Sequence, residues 1–202
     1  LENKKRVAGD LPIRWGLTED EKWIALCIAR ETLKNFVSTG EKPSSRLFVN
    51  LNIPSRFQKI VDLDVVLWIK GALRGSAVVE REKLVDGIIL ATMLASRDTR
   101  FKPLSKEEIS QTRIEVTLMH QPRIPLTDIE IAGNMIYPEK CYLLVHENTK
   151  GWFLPQVFNA RKFSDLADFL SDLAQEKAKI DKMAYRKATA FIFEAEDFIE
   201  SH

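Results

Sequence analysis

The chain is poor in the residues that build metal and redox centres. It has two cysteines and three histidines in 202 residues. His120, His146 and His202 are widely separated, and neither a C-x-x-C nor an H-E-x-x-H spacing occurs, so no metal site is expected. Cys27 and Cys141 each sit inside an apolar segment with no short spacing between them, which predicts reduced, buried thiols and no disulfide. No glycine-rich phosphate loop and no G-x-G-x-x-G are present, so no nucleotide cofactor can be read and any cofactor stays unknown. No apolar run approaches the roughly 20 residues of a membrane span, and no signal-like segment opens the sequence. A cytoplasmic protein is expected. An excess of one charge is missing too: 30 basic residues stand against 29 acidic ones, for a net charge of +1. That balance supplies no global drive toward nucleic acid or an anionic membrane.

What is present is an ordinary globular balance, 45% hydrophobic and 29% charged. A chain of this length buries roughly 70% of its unfolded surface, enough for a sizeable core. We read one domain over residues 1–202, with 1–17 as a lead-in arm containing Lys4-Lys5-Arg6 and 18–202 as the globular part. Thr18 and Glu21 have capping-box spacing ahead of a helix whose apolar face runs through Trp23, Leu26, Cys27, Arg30, Leu33 and Val37, with Gly40 placed to end it. Leu47 to Leu51 reads as a short strand. Val61–Lys70 and Ala72–Glu80 read as the arms of a hairpin, followed by a helix over Arg81–Ser96 and a loop from Asp98 to Leu104.

Ser105 and Glu108 repeat the capping-box spacing before a short helix. The alternation of Ile114, Val116 and Leu118 then predicts a strand, with Glu115 on its solvated face. Cys141–His146 and Gly151–Leu154 form a second hairpin, Ser164 opens a helix carrying Leu166, Phe169, Leu170, Leu173 and Ala174, and Ala188–Glu194 is a last strand with Phe198 as an anchor. Hairpins interspersed with helices imply an α+β fold, with helices packed on an antiparallel or mixed sheet.

The stretch Leu73-Arg74-Gly75-Ser76-Ala77-Val78 carries the least ordinary chemistry. Arg74 projects from the second hairpin arm as either a solvated strand residue or a planar fork for a carboxylate or phosphate. Gly75 marks a bulge or leaves room for a close approach to the backbone. Asp98 and Arg100 place a carboxylate and a guanidinium two residues apart in the following loop, fit either to pin that loop or to hold a ligand. Gln156, at a strand end, is the one polar side chain of an otherwise apolar segment. No base accompanies Ser76 in the sequence, so catalytic residues are unknown.

This hexapeptide resembles the LRGCIG signature of the AMMECR-type domain family. Two further stretches follow in that family's order. Asp98-Thr99-Arg100-Phe101-Lys102-Pro103-Leu104 resembles its aspartate-x-arginine-phenylalanine-x-proline-leucine block, and Leu154-Pro155-Gln156-Val157 its leucine-proline-glutamine-valine motif. The resemblance implies two subdomains with the signature near a groove between them, and a small-molecule site involving Arg74, Gly75, Ser76, Asp98, Arg100 and Gln156. It also implies Memo-like and radical-SAM family proteins as partners, and leaves a homodimer open. Ser76 stands where the family has cysteine, Ala77-Val78 replaces isoleucine-glycine, and Pro138-Glu139-Lys140 replaces a glycine-rich approach. A hydroxyl cannot supply a low-pKa thiolate, so thiol chemistry is unavailable at this position. Two functions follow as expectations. One is an enzyme or enzyme subunit holding an anionic or polar small molecule near Arg74, with Arg74 carrying the recognition; the other is a non-catalytic protein-binding or scaffold module.

Overall fold

The computed structural model describes residues 15–201 apart from 49, 122, 135, 156 and 158–162. Among them the chain forms two compact units. One comprises residues 15–119 and 196 onward, the other residues 120–195. Each is built on a four-stranded antiparallel sheet with helical elements packed on it, an α+β architecture. Among the described residues no helix is long and apolar enough to cross a membrane.

The first unit opens on α1, Glu19–Thr39. Thr18 accepts from the Glu21 N–H and Glu21 accepts from the Thr18 N–H, completing the capping box, and Gly40 closes the helix at φ 80°. The buried stripe is Ala25, Ile28, Ala29, Thr32, Leu33 and Phe36. That corrects the expected face by a fraction of a turn: small alanines, which periodicity weighs lightly, make the close contact, while Trp23 is left 61% exposed. Residues 15 and 17 also depart from the lead-in arm expected over 1–17. Trp15 and Leu17 are in the core, and residues 1–14 lie outside the described part of the chain. The expected strand at 47–51 is instead a single 3₁₀ turn, Ser45–Phe48, that buries Phe48.

The hairpin is longer than its sequence pattern suggests: β1 spans Ile60–Ile69 and β2 spans Ala72–Lys83. Lys70 and Gly71 both have positive φ, 52° and 77°, the turn geometry that matches strand twist. Two register shifts interrupt the pairing, one of them between Leu67↔Gly75 and Trp68↔Leu73, which leaves Arg74 as the extra residue of a bulge. The strand runs directly into α2, Leu84–Ser96, so this helix starts three residues later than expected. β3, Thr112–Met119, pairs along the other side of β1, and β8, Ala195–Ile199, completes the order β2-β1-β3-β8. Leu63, Val65, Leu67, Ile114, Val116 and Leu118 share a core with α1 and α2.

The second unit holds β4 (Ile124–Pro125), α3 (Asp128–Ala132), β5 (Cys141–His146), β6 (Thr149–Phe153), α4 (Leu166–Leu173) and β7 (Thr189–Phe193), with sheet order β4-β7-β5-β6. The apolar positions read for α4 are all buried against this sheet, where Tyr142 meets Phe169 edge-on at 4.7 Å. Burial pushes the Tyr142 phenol up to about 12. The final strand expected at 188–194 is β7, while Phe198 lies on the separate strand β8.

Candidate functional site

The signature lies on β2, the edge strand of the first sheet. Gly75 faces the C-terminal turn of α2, so closely that a Cβ there would stand 2.1 Å from the Ala95 carbonyl oxygen. The glycine therefore lets a strand lie directly on the end of a helix. The approach is internal packing, which requires the missing side chain without any unusual φ.

Immediately beyond α2, Asp98 turns back onto the same edge. Its Oδ2 accepts from the Ser76 backbone N–H at 2.9 Å, a group that an edge strand leaves unpaired, and its Oδ1 accepts from the Arg100 backbone N–H at 3.0 Å. Arg100 Nε donates to both carboxylate oxygens at 3.0 and 3.1 Å, and Nη2 donates to Oδ2. Burial alone would raise the Asp98 carboxyl. The side-chain and backbone hydrogen bonds from Arg100, with that from Ser76, outweigh it and hold the group at about 2. Arg100 Nη2 also donates to Ser76 Oγ at 2.7 Å. Asp98 and Arg100 thus pin the loop to the signature strand, one of the two roles their spacing allowed. The Asp98 side chain is 7% exposed and that of Arg100 44%.

Arg74 has a partner of its own. Nε and Nη2 donate to the two oxygens of Glu108 at 2.7 and 3.0 Å, a bidentate pair, and Glu108 Oε2 also accepts from the Ser105 N–H at 2.8 Å. The hydrogen bonds from Arg74, then that from Ser105, hold the Glu108 carboxyl below its usual range. The Ser105–Glu108 spacing therefore serves a loop that receives Arg74, and the segment continues as the 3₁₀ turn Ile109–Gln111. Arg74 Cζ and Arg100 Cζ each stand over the Phe101 ring, 5.8 and 5.7 Å from its centroid.

The sheet face that carries Ser76 holds further polar groups that the sequence reading passed over. Val66 pairs with Ser76 on one side and Glu115 on the other, and Asp64 pairs with Thr117. Directly opposed residues share a face, so Ser76, Asp64, Glu115 and Thr117 line one side of the sheet. Glu115, expected on a solvated face, is 6% exposed and accepts from Trp68 Nε1 at 2.7 Å. Alternation assigns a side chain to a face but says nothing of whether that face is covered, which is why the expectation failed. Asp64 is 6% exposed and Thr117 1%, and Asp64 favours the charged form of Arg100 electrostatically. A carboxylate inside the apolar strand Val61-Asp62-Leu63-Asp64-Val65-Val66-Leu67 was the available signal. Of the six expected site residues, Arg74, Gly75, Ser76, Asp98 and Arg100 come together around one strand edge, while Gln156 lies outside the described residues.

Comparison with known proteins gives this arrangement its context. Residues 26–198 match the sequence model of AMMECR1. The chain belongs to the AMMECR1 family. A protein of Methanosarcina acetivorans is 30% identical over 193 residues, covering 91% of this chain and 94% of its own length. One from Methanocella arvoryzae is 28% identical over 193 residues, covering 92% and 93%. The crystal structure of the uncharacterized protein PH0010 from Pyrococcus horikoshii shares the fold, with a TM-score of 0.76 at 21% identity over 92% of this chain and 94% of that one. In this AMMECR1 chain the signature's cysteine position is Ser76, whose hydroxyl already accepts from Arg100. Among the described residues no group of three or more histidine, cysteine, aspartate or glutamate side chains is arranged to hold a metal.

Proposed function

We propose that this AMMECR1 protein, as an enzyme or a subunit of one, binds a small polar molecule carrying an anionic group on the sheet face bordered by Arg100. The observation that carries the reading is Thr117. Its Oγ1 is buried, has no hydrogen-bond partner among the described residues, and shares its face with Asp64 and Glu115. A buried hydroxyl without a partner costs about 1 to 3 kcal/mol, a cost a fold keeps more readily where a ligand group can complete the bond. Arg100 supplies the complementary charge. Asp98 holds the Nε–Nη2 edge of its guanidinium and Ser76 Oγ accepts from Nη2 as well, while Nη1 makes no hydrogen bond among the described residues, so one pre-oriented donor remains. This moves the expected recognition from Arg74, whose fork Glu108 occupies, to Arg100. Memo-like and radical-SAM proteins, which the signature resemblance implies, would then supply or consume the bound molecule.

The test is a native mass measurement of the purified protein, with thermal-shift titration of inorganic phosphate, malonate and succinate on the parent, Arg100→Gln and Thr117→Val. Recovery of a bound metabolite, or an anion-dependent rise in melting temperature that Arg100→Gln abolishes, supports the reading. Equal shifts for parent and Arg100→Gln, with one stoichiometric protein partner in place of a metabolite, would establish the scaffold function instead.

A further inference from the structure

The exposed Trp23 borders a pocket whose lining includes none of the signature residues 73–78. A cavity of about 700 Å³ opens beside α1, lined by Trp23, Leu26 and Cys27 on the helix, Lys70 at the tip of the β1–β2 hairpin, and Gln111 and Arg113 where β3 begins. The size falls within the range of small-molecule sites, which are mostly apolar with a few fixed polar groups. Every lining residue belongs to the first unit.

The chemistry of the lining divides into a frame and two available groups. The frame is Arg30 and Arg113 around Glu200. Arg30 is bound to the Glu200 carboxylate and to the carbonyl oxygens of Ile109 and Thr112, and Arg113 donates to the Glu200 carbonyl oxygen at 2.8 and 3.1 Å. These bonds fix that part of the lining. Trp23 and Lys70 are committed differently. The indole is 61% exposed, a large aromatic surface held at the rim of a concavity, and Lys70 is exposed and forms no ion pair among the described residues. Counting Arg30, Lys70 and Arg113 against Glu200, the lining carries three positive charges to one negative. An exposed indole, the apolar Leu26 and Cys27, and a surplus of positive charge among the lining residues suit a flat apolar ring bearing an acid.

We infer that this pocket is a second binding site, for a small aromatic acid that stacks on Trp23 and pairs its anionic group with Lys70. The site is independent of the Arg100 face, and either can fail without the other. The probe is 8-anilinonaphthalene-1-sulfonate, followed by its own fluorescence, with the uncharged N-phenyl-1-naphthylamine as its counterpart. Trp23→Ala should weaken both probes by about tenfold, the worth of one aromatic contact, since 1.4 kcal/mol is tenfold in affinity. Lys70→Gln should weaken the sulfonate by about threefold, as for an exposed charge pair, and leave the neutral probe unchanged. Both side chains are exposed, so the variants retain the parent's melting curve. Cys27 supplies a reading that needs no substitution: a saturating sulfonate probe should slow its alkylation by iodoacetamide, while Cys141, fully buried, stays unreactive in either case. Sulfonate binding equal to the parent in both variants, or Cys27 alkylation indifferent to the probe, would overturn the assignment.

Discussion

Replacing Gly75 by alanine adds one methyl group, and its neighbours set the cost. That carbon would meet the Ala95 carbonyl oxygen at 2.1 Å, the Ala95 carbonyl carbon at 3.2 Å and Asp98 Cβ at 3.4 Å. The first of these is backbone at the end of α2, so it cannot swing aside as a side-chain tip would. Relief requires β2 and α2 to separate by about an ångström, which also pulls Ser76 from Asp98. Overpacking costs about 1 to 3 kcal/mol when side chains can adjust, and backbone opposition places this site at about 3 kcal/mol. For a chain of this size that is roughly 6 to 12 °C in melting temperature. Gly87 is the matched control. Its added carbon meets Leu63 Cδ2 at 3.0 Å, the end of a flexible side chain, and it sits inside α2, where alanine gains roughly 0.8 to 1 kcal/mol of helix propensity. Gly87→Ala should therefore be close to neutral. Thermal and urea denaturation of both variants, with circular dichroism, decide the matter. A Gly75→Ala protein that melts with the parent would refute the idea that the glycine exists to seat a strand on a helix end.

Two further outcomes follow from the ion pairs of this edge. Asp98 is held at about 2 in the folded chain against 3.8 when free, so its contribution is complete above about pH 4 and is lost as pH falls toward 2. Asp98→Asn should flatten that part of a urea-midpoint against pH curve, and an unchanged slope would show that the carboxylate is not coupled to folding. Arg74→Ala should lower the urea midpoint by the equivalent of about 1 to 2 kcal/mol by stripping Glu108 of two charge-assisted bonds, with Arg74→Lys recovering part of it; a parent-like midpoint for the alanine variant would release Arg74 for recognition after all.

The features legible in the sequence are those whose causes are local. Thr18 and Glu21 are three residues apart and cap each other, Lys70-Gly71 turns between adjoining strands, and the stripe of α4 repeats within two turns. The role of Gly75 depends on a carbonyl oxygen 20 residues later, so its spacing offered only the fact that something comes near. The partner of Arg74 was visible as a cap for Ser105, and only tertiary structure shows one carboxylate serving both. Glu115 and Trp23 erred in opposite directions, a charge taken as solvated that is buried and an indole taken as core that is exposed, because periodicity ranks faces without showing what covers them.

The strand order of the first sheet also bears on how the protein is made. β3 is finished at Met119, yet its neighbour β8 begins at Ala195, after the whole second unit has been read out. Glu196 accepts from the Leu17 N–H, and Glu200 receives Arg30 and the Ile114 N–H. On a ribosome adding about 5 to 20 residues per second, the roughly 75 intervening residues keep these N-terminal groups waiting some 4 to 15 s. For that interval β3 is an open edge on a nascent chain, and its exposed ladder is the place where a chaperone, or a neighbouring polysome's product, would first make contact.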